Sequence, residues 1–181
     1  MSRRAQHPTE LLKTVEPTEI YGMPGHLVRR MHQASQAIFA AEMTEAGFDL
    51  TSVQFAALAM IGANPGIDQA RLAKAIAFDR PTTGGVIDRL EAKGFVRRET
   101  TKADRRMRHL YLEPAGKAIL DSATPAVRRV QDSLLEKLDE TERASFLHLL
   151  SKALGTFDEA SRPGTVMSRK PGQIVKIENL K

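Results

Sequence analysis

Apolar residues recur at helical spacing along most of this chain. The pattern resolves into six helices with one short alternating stretch among them. From Gly25 to about Gly47, Leu27, Met31, Ala34, Ile38 and Ala41 fall three or four residues apart and form one stripe, with Phe39 beside it. Thr51 to about Gly62 is apolar on most sides (Val53, Phe55, Ala56, Leu58, Ala59, Ile61) and opens with Thr51 and Gln54 at capping-box spacing. Asn64-Pro65-Gly66 signals a turn. Asp68 caps a short helix, Gln69 to Ala77, with Leu72, Ala73 and Ile76 inward. Asp79 caps the next, which carries Pro81 in its first turn and Val86, Ile87 and Leu90 on its core face, and stops at Gly94. Phe95 to Thr100 and Met107 to Leu112 read as a two-stranded hairpin, Leu110 and Leu112 alternating with His109 and Tyr111. A long helix from Pro114 to about Leu138 has Leu120, Ala123, Val127, Val130, Leu134 and Leu138 as its stripe, and Pro125 predicts a kink or interruption. Asp139 and Glu142 then cap a last helix, about Glu140 to Phe157. Residues 1–24 are expected to form an extended arm and residues 160–181 a loosely ordered tail.

The run of helix, turn, helix and hairpin takes on meaning once charge is added. Eleven Lys and Arg and five Asp and Glu lie between Arg71 and His109, a net +6, whereas the whole 181-residue chain is +5. The positive charge is therefore placed on this motif, the electrostatic footprint of a DNA-binding module. On the helix after Asp79, the face away from the core shows Arg80, Thr82, Thr83, Gly85 and Arg89. The hairpin sets Arg97, Arg98, Lys102, Arg105, Arg106 and Arg108 against Glu99 and Asp104. Gly84-Gly85 inside a helix costs roughly 1 kcal/mol per glycine relative to Ala, which a tight helix crossing or close approach to a groove wall would explain. A second cluster, His26, Arg29, Arg30 and His32, sits in the first two turns of the first helix. The helix dipole disfavours cations there, so the cluster is either a solvated polar face or an anion site.

Other chemistry is absent. With no Cys there is no disulfide framework or thiolate metal site. The five His lack metal-ligand spacing, no nucleotide or nucleophile motif occurs, and neither enzyme activity, metal nor cofactor is expected. No apolar run reaches the roughly 18 residues of a membrane span, and the polar N-terminus lacks a signal-peptide core, so a cytoplasmic location without membrane contact is expected. The first and last two helices carry more apolar surface than the central motif can cover. A second copy of the chain is the economical partner, and two-fold symmetry suits a palindromic site.

Two strings carry a family resemblance. Asp79-Arg-Pro-Thr82 with Leu90-Glu-Ala-Lys-Gly-Phe-Val96, and Asp104-Arg-Arg-Met-Arg-His-Leu-Tyr-Leu-Glu-Pro-Ala-Gly116, resemble the recognition helix, wing and wing exit of MarR-family transcription regulators. The resemblance implies a mainly α fold with a small β-hairpin wing. It places a winged helix–turn–helix DNA-binding lobe at residues 50–114 and dimerisation helices at 25–49 and 115–159, within a domain spanning 25–159. It implies a homodimer on double-stranded DNA at a near-palindromic operator. By motif position Arg80, Thr82, Thr83 and Arg89 would contact bases or phosphates, and Arg105 or Arg106 the minor groove. Arg97, Arg98, Lys102 and Arg108 would contact phosphates, and Arg71 joins the DNA-binding set. Glu113 departs from the family's usual Thr, and Gly84-Gly85 from its usual recognition helix. Residues Pro24 to Arg30 with Gln33, Phe55 and Gly66-Ile-Asp-Gln69 are similar to members that sense aromatic carboxylates or their CoA thioesters. There Arg29 would hold a small anionic aromatic ligand, with His26, Ser35, Phe39 and Phe55 as pocket neighbours. The implied function is a repressor released by that ligand. A ligand-independent regulator or activator, or a winged-helix protein-interaction module, are the alternatives.

Overall fold

Caps decide where the helices begin. The computed structural model describes residues 17–100 and 108–160. In chain order the elements are α1 (Pro17–Ile20), α2 (Pro24–Glu45), α3 (Ser52–Ala63), β1 (Ile67–Asp68), α4 (Gln69–Ala75), α5 (Arg80–Ala92), β2 (Val96–Thr100), β3 (Arg108–Leu112), α6 (Pro114–Leu134) and α7 (Glu140–Ala160). Before α3, the Thr51 hydroxyl accepts the Gln54 amide at 3.3 Å and the Gln54 side chain accepts the Thr51 amide at 3.0 Å. Asp68 accepts the Arg71 amide at 2.9 Å, and Asp79 accepts the Thr82 amide at 2.7 Å. Asp139 and Glu142 form the same reciprocal box ahead of α7, at 2.8 and 3.0 Å. Each satisfies amides that the first helical turn leaves without partners. α4 ends two residues earlier than expected, because Ala77 turns left-handed (φ +57) and the Phe78 amide bonds back to Ala73 O at 3.0 Å.

The hairpin is one side of a three-stranded antiparallel sheet ordered β1-β3-β2. β2 and β3 pair Val96 with Leu112, Arg97 with Tyr111 and Arg98 with Leu110. The unforeseen strand β1 sets Ile67 opposite Leu110 and Asp68 opposite His109. Two residues are too few to show a period, so the sequence pattern passes over it. α1, one turn long, lies within the stretch expected to be an arm. Pro125 does not interrupt its helix: α6 runs through it, with Ala123 and Ala126 fully packed on either side. That packing offsets the one backbone hydrogen bond that a proline removes.

Leu58, Ile61, Leu72, Ile87, Leu90, Val96 and Leu110 form the centre of the core, joined by Phe39 and Met43 of α2 and by Ala123, Ala126 and Val130 of α6. The buried face of α2 is therefore rotated from the expected stripe: Leu27, Ala34 and Ala41 are exposed. α2 packs along α6, and Arg129 Nε meets Glu42 Oε2 at 2.9 Å. The first turn of α6 presses on the start of the wing. A Cβ at Gly116 would stand 2.0 Å from the Phe95 carbonyl oxygen, which also accepts the Glu113 amide at 2.9 Å. The chain divides into two compact units between Leu134 and Leu135. The second carries α7, on which Leu147, Leu149 and Leu154 are exposed.

Candidate nucleic-acid interface

The face of α5 opposite Val86, Ile87 and Leu90 is solvent-exposed. Asp79 organises its start. Its carboxylate accepts both the Thr82 amide, at 2.7 Å, and the Thr82 hydroxyl, at 2.8 Å. Those two bonds, the backbone one foremost, hold the Asp79 carboxyl below its ordinary value. Arg80 and Arg89 are exposed and make no ion pair among the described residues. Thr82 is exposed as well, but its hydroxyl proton is committed to Asp79, leaving lone pairs to accept. Thr83, expected on this face, is instead fully buried, and its hydroxyl bonds to Asp79 O at 2.8 Å. At 100° per residue it lies between Ile87 and Leu90 on the core side.

The wing arginines divide the same way. Arg98, expected to face phosphate, turns inward: its side chain is 15% exposed and pairs with Asp88 and, at 2.7 Å, with Glu91, both on α5. Register explains this, since Arg98 sits opposite the fully buried Leu110. Arg97 lies on the other face, paired with Glu99 and, at 3.0 Å, with Glu113, its guanidinium 4.6 Å from the Tyr111 ring centre. It is partly neutralised rather than held out toward a backbone. Arg108 is exposed at the start of β3, and Arg71 is exposed while pairing with Asp68 at 3.3 Å. Lys102, Arg105 and Arg106 lie outside the described residues.

The two glycines of α5 separate cleanly. A Cβ at Gly84 would stand 3.0 Å from Gln69 Nε2, which donates to Arg80 O at 3.3 Å, so Gly84 serves the crossing of α4 and α5. At Gly85 the only neighbour among the described residues is the Arg89 guanidinium at 3.7 Å, and their packing gives no reason for glycine there.

The residues expected around an anion do not converge within one chain. Arg29 is exposed, whereas Phe39, ten residues further on, is packed into the core with its ring 6.5 Å from that of Phe55. Ten residues of helix span about 15 Å, longer than a small aromatic acid. Phe39 is thus part of the hydrophobic core. Ser35 is half-buried between them along α2. His26 is half-buried, its ring edge-on to Tyr21 at 5.6 Å, and its Nε2 has no hydrogen-bond partner among the described residues. A cleft of about 610 Å³ that sequence reasoning missed lies elsewhere, with Ile61, Leu112 and Leu120 in its wall and Arg97, Tyr111 and Lys117 around it. Glu113, noted only as a departure from the family pattern, also lines it. Among the described residues no three His, Asp or Glu gather as a metal site, and no helix is long and apolar enough to cross a membrane.

Comparison with known proteins fits this geometry. The MarR family model matches residues 50–107. The HTH-type transcriptional repressor NicR of Pseudomonas putida is 32% identical over 144 residues, covering 80% of this chain and 90% of its own. A structure of Bordetella bronchiseptica BpsR, described as the mechanism by which 6-hydroxynicotinic acid regulates its DNA binding, superposes with TM-score 0.67 at 32% identity. It covers 71% of this chain and 96% of that one. The transcriptional repressor CouR bound to a 23-mer DNA duplex superposes with TM-score 0.68 at 28% identity, covering 77% and 97%.

Proposed function

The chain belongs to the MarR family of winged helix–turn–helix transcription regulators, and from that premise we propose that it is a homodimeric repressor that leaves a near-palindromic operator when a small aromatic acid, or its acyl-CoA, binds. The observation that carries the DNA half is that Arg80 and Arg89 are exposed, with no ion pair among the described residues, on a helix whose Val86, Ile87 and Leu90 are locked into the core. In this reading Arg71, Thr82 and Arg108 join them, and Lys102, Arg105 and Arg106 follow by motif position. Gly85 lets the helix backbone come close to the groove. The domain bounds, 25–159 with a DNA-binding lobe at 50–114, and a cytoplasmic location belong to the same proposal.

Support for the ligand half is chemical. Relatives include BpsR, whose DNA binding is regulated by 6-hydroxynicotinic acid. On this chain Arg29 offers a guanidinium fork suited to a carboxylate, and His26, one turn before it, a ring nitrogen with no hydrogen-bond partner among the described residues. The exposed Leu27 and Val28 flank them, so the pocket is completed by a second copy. Fluorescence anisotropy on the DNA upstream of the protein's own gene tests both halves. Tight, salt-dependent, sequence-selective binding is expected, with release on adding 6-hydroxynicotinic acid or a related aromatic carboxylate. Binding without sequence preference would overturn the regulator reading. An Arg29→Ala protein that binds DNA and still responds fully to the acid would remove Arg29 from the pocket.

A further inference from the structure

The recognition helix of a DNA-binding protein has little electrostatic use for carboxylates, yet α5 carries Asp88 and Glu91 one turn apart on its exposed side. Each should repel the phosphate backbone. The structure gives both the same partner. Arg98 Nη1 donates to Glu91 at 2.7 Å, and Nη2 donates to Asp88. Its Nε is buried with no hydrogen-bond partner among the described residues. A guanidinium spreads its donors in a fixed planar fork, so one Arg can hold two carboxylates spaced by a helical turn. A lysine offers one point charge and would hold one of them.

We infer that Arg98 is a positioning residue for operator binding: it clamps the wing strand β2 to the recognition helix α5 through Asp88 and Glu91, and does not itself touch DNA. β2 leads directly into the wing, and α5 is joined to it by the short turn through Gly94. That turn fixes one end of β2 while leaving its direction free. The clamp acts three residues along β2 from Phe95 and six residues back along α5 from Gly94, which makes the pair a triangle rather than a hinge. The angle between helix and wing, and with it simultaneous contact to a major groove and the adjacent minor groove, is then set before DNA arrives.

The inference rests on the operator-binding reading, and the unaltered protein measured in parallel separates the two. If it shows no selective binding, that reading fails. If it binds, the variants decide the role of Arg98. The key variant is Asp88→Asn with Glu91→Gln, which removes two negative charges from the DNA-facing helix. Bystander carboxylates would make this variant bind tighter; the clamp makes it bind weaker, by about tenfold, equivalent to about 1.4 kcal/mol. Arg98→Ala is expected to weaken binding at least as much while the slope of log K against log salt stays within a few tenths of the original. A lost phosphate contact would flatten that slope by about 0.9. Arg98→Lys should recover only part of the affinity, because one carboxylate stays unheld. All are measured below the onset of unfolding, with amide exchange at Val96 to Thr100 as a local readout. Faster exchange in β2 with unchanged exchange in α6 is expected in each variant. Tighter binding by the double variant, or a salt slope flattened by about one in Arg98→Ala, would overturn the clamp.

Discussion

Two helices of this protein carry outward-facing arginines, and they are built differently. α5 is capped by Asp79, pinned by the buried Thr83, Val86, Ile87 and Leu90, and braced from the side by Arg98, so Arg80 and Arg89 project from a fixed platform. α2 has no side-chain cap at its start, and beside Arg29 its Leu27 and Val28 are 48% and 57% exposed. The outward face of α5, proposed to read DNA, is thus held in place by contacts within one chain. The surface proposed for control is not, and waits on a second copy.

The sharpest way to break this comparison is to spoil the second copy alone. Leu27→Asp is expected to leave the DNA-binding lobe folded, with circular dichroism little changed and the urea midpoint lowered only by the loss of subunit association. It should convert the dimer to monomer in analytical ultracentrifugation and lower operator affinity by about a hundredfold or more, since each half-site then binds alone. Full operator affinity in a demonstrated monomer would show that α5 needs no partner. Next in size, Leu90→Ala empties a fully buried site under α5 and should cost about 2–5 kcal/mol in urea unfolding. Gly85→Ala is subtler. No neighbour opposes the added methyl, so stability should rise by about 0.5–1 kcal/mol while operator binding weakens. If both rise together, close approach at Gly85 is wrong. The smallest effect concerns Asp79. Its carboxyl is held below the ordinary 3.8, mainly by the Thr82 amide, so its contribution is complete above that value and fades as pH falls through the lowered one. Thermal melts through the acid range should show this, and Asp79→Asn, which keeps a cap without the charge, should flatten the dependence.

Most of the fold was legible because caps and apolar periods are local. Thr51 with Gln54, Asp68, Asp79, and Asp139 with Glu142 each mark a helix start that the structure realises. What failed to show was set by distant partners. β1 exists only because β3 is beside it. Arg98 and Thr83 look from sequence like surface residues, but strand register and helix phase turn both inward. The stripe expected on α2 is apolar, but the residues that reach the chain's own core are Phe39 and Met43 beside it, because periodicity marks an apolar face without saying which molecule covers it. The five residues expected around an anion were chosen as one set, and about 15 Å of helix between Arg29 and Phe39 separates them.

Gly116 carries a consequence for how any signal travels. With the Phe95 carbonyl 2.0 Å from where a side chain would begin, the joint between α6 and β2 is a weld. The two elements cannot slide or open there without breaking contact, so a tilt of α6 carries the wing with it as one lever. Two turns further along, Pro125 leaves a rung of the helix ladder empty, and only the packing of Ala123 and Ala126 stands in for it. Bending concentrated at Pro125 would move everything from α6's first turn to the wing as a single rigid arm, turning a small displacement at the far end of the helix into a change of reach between two reading heads.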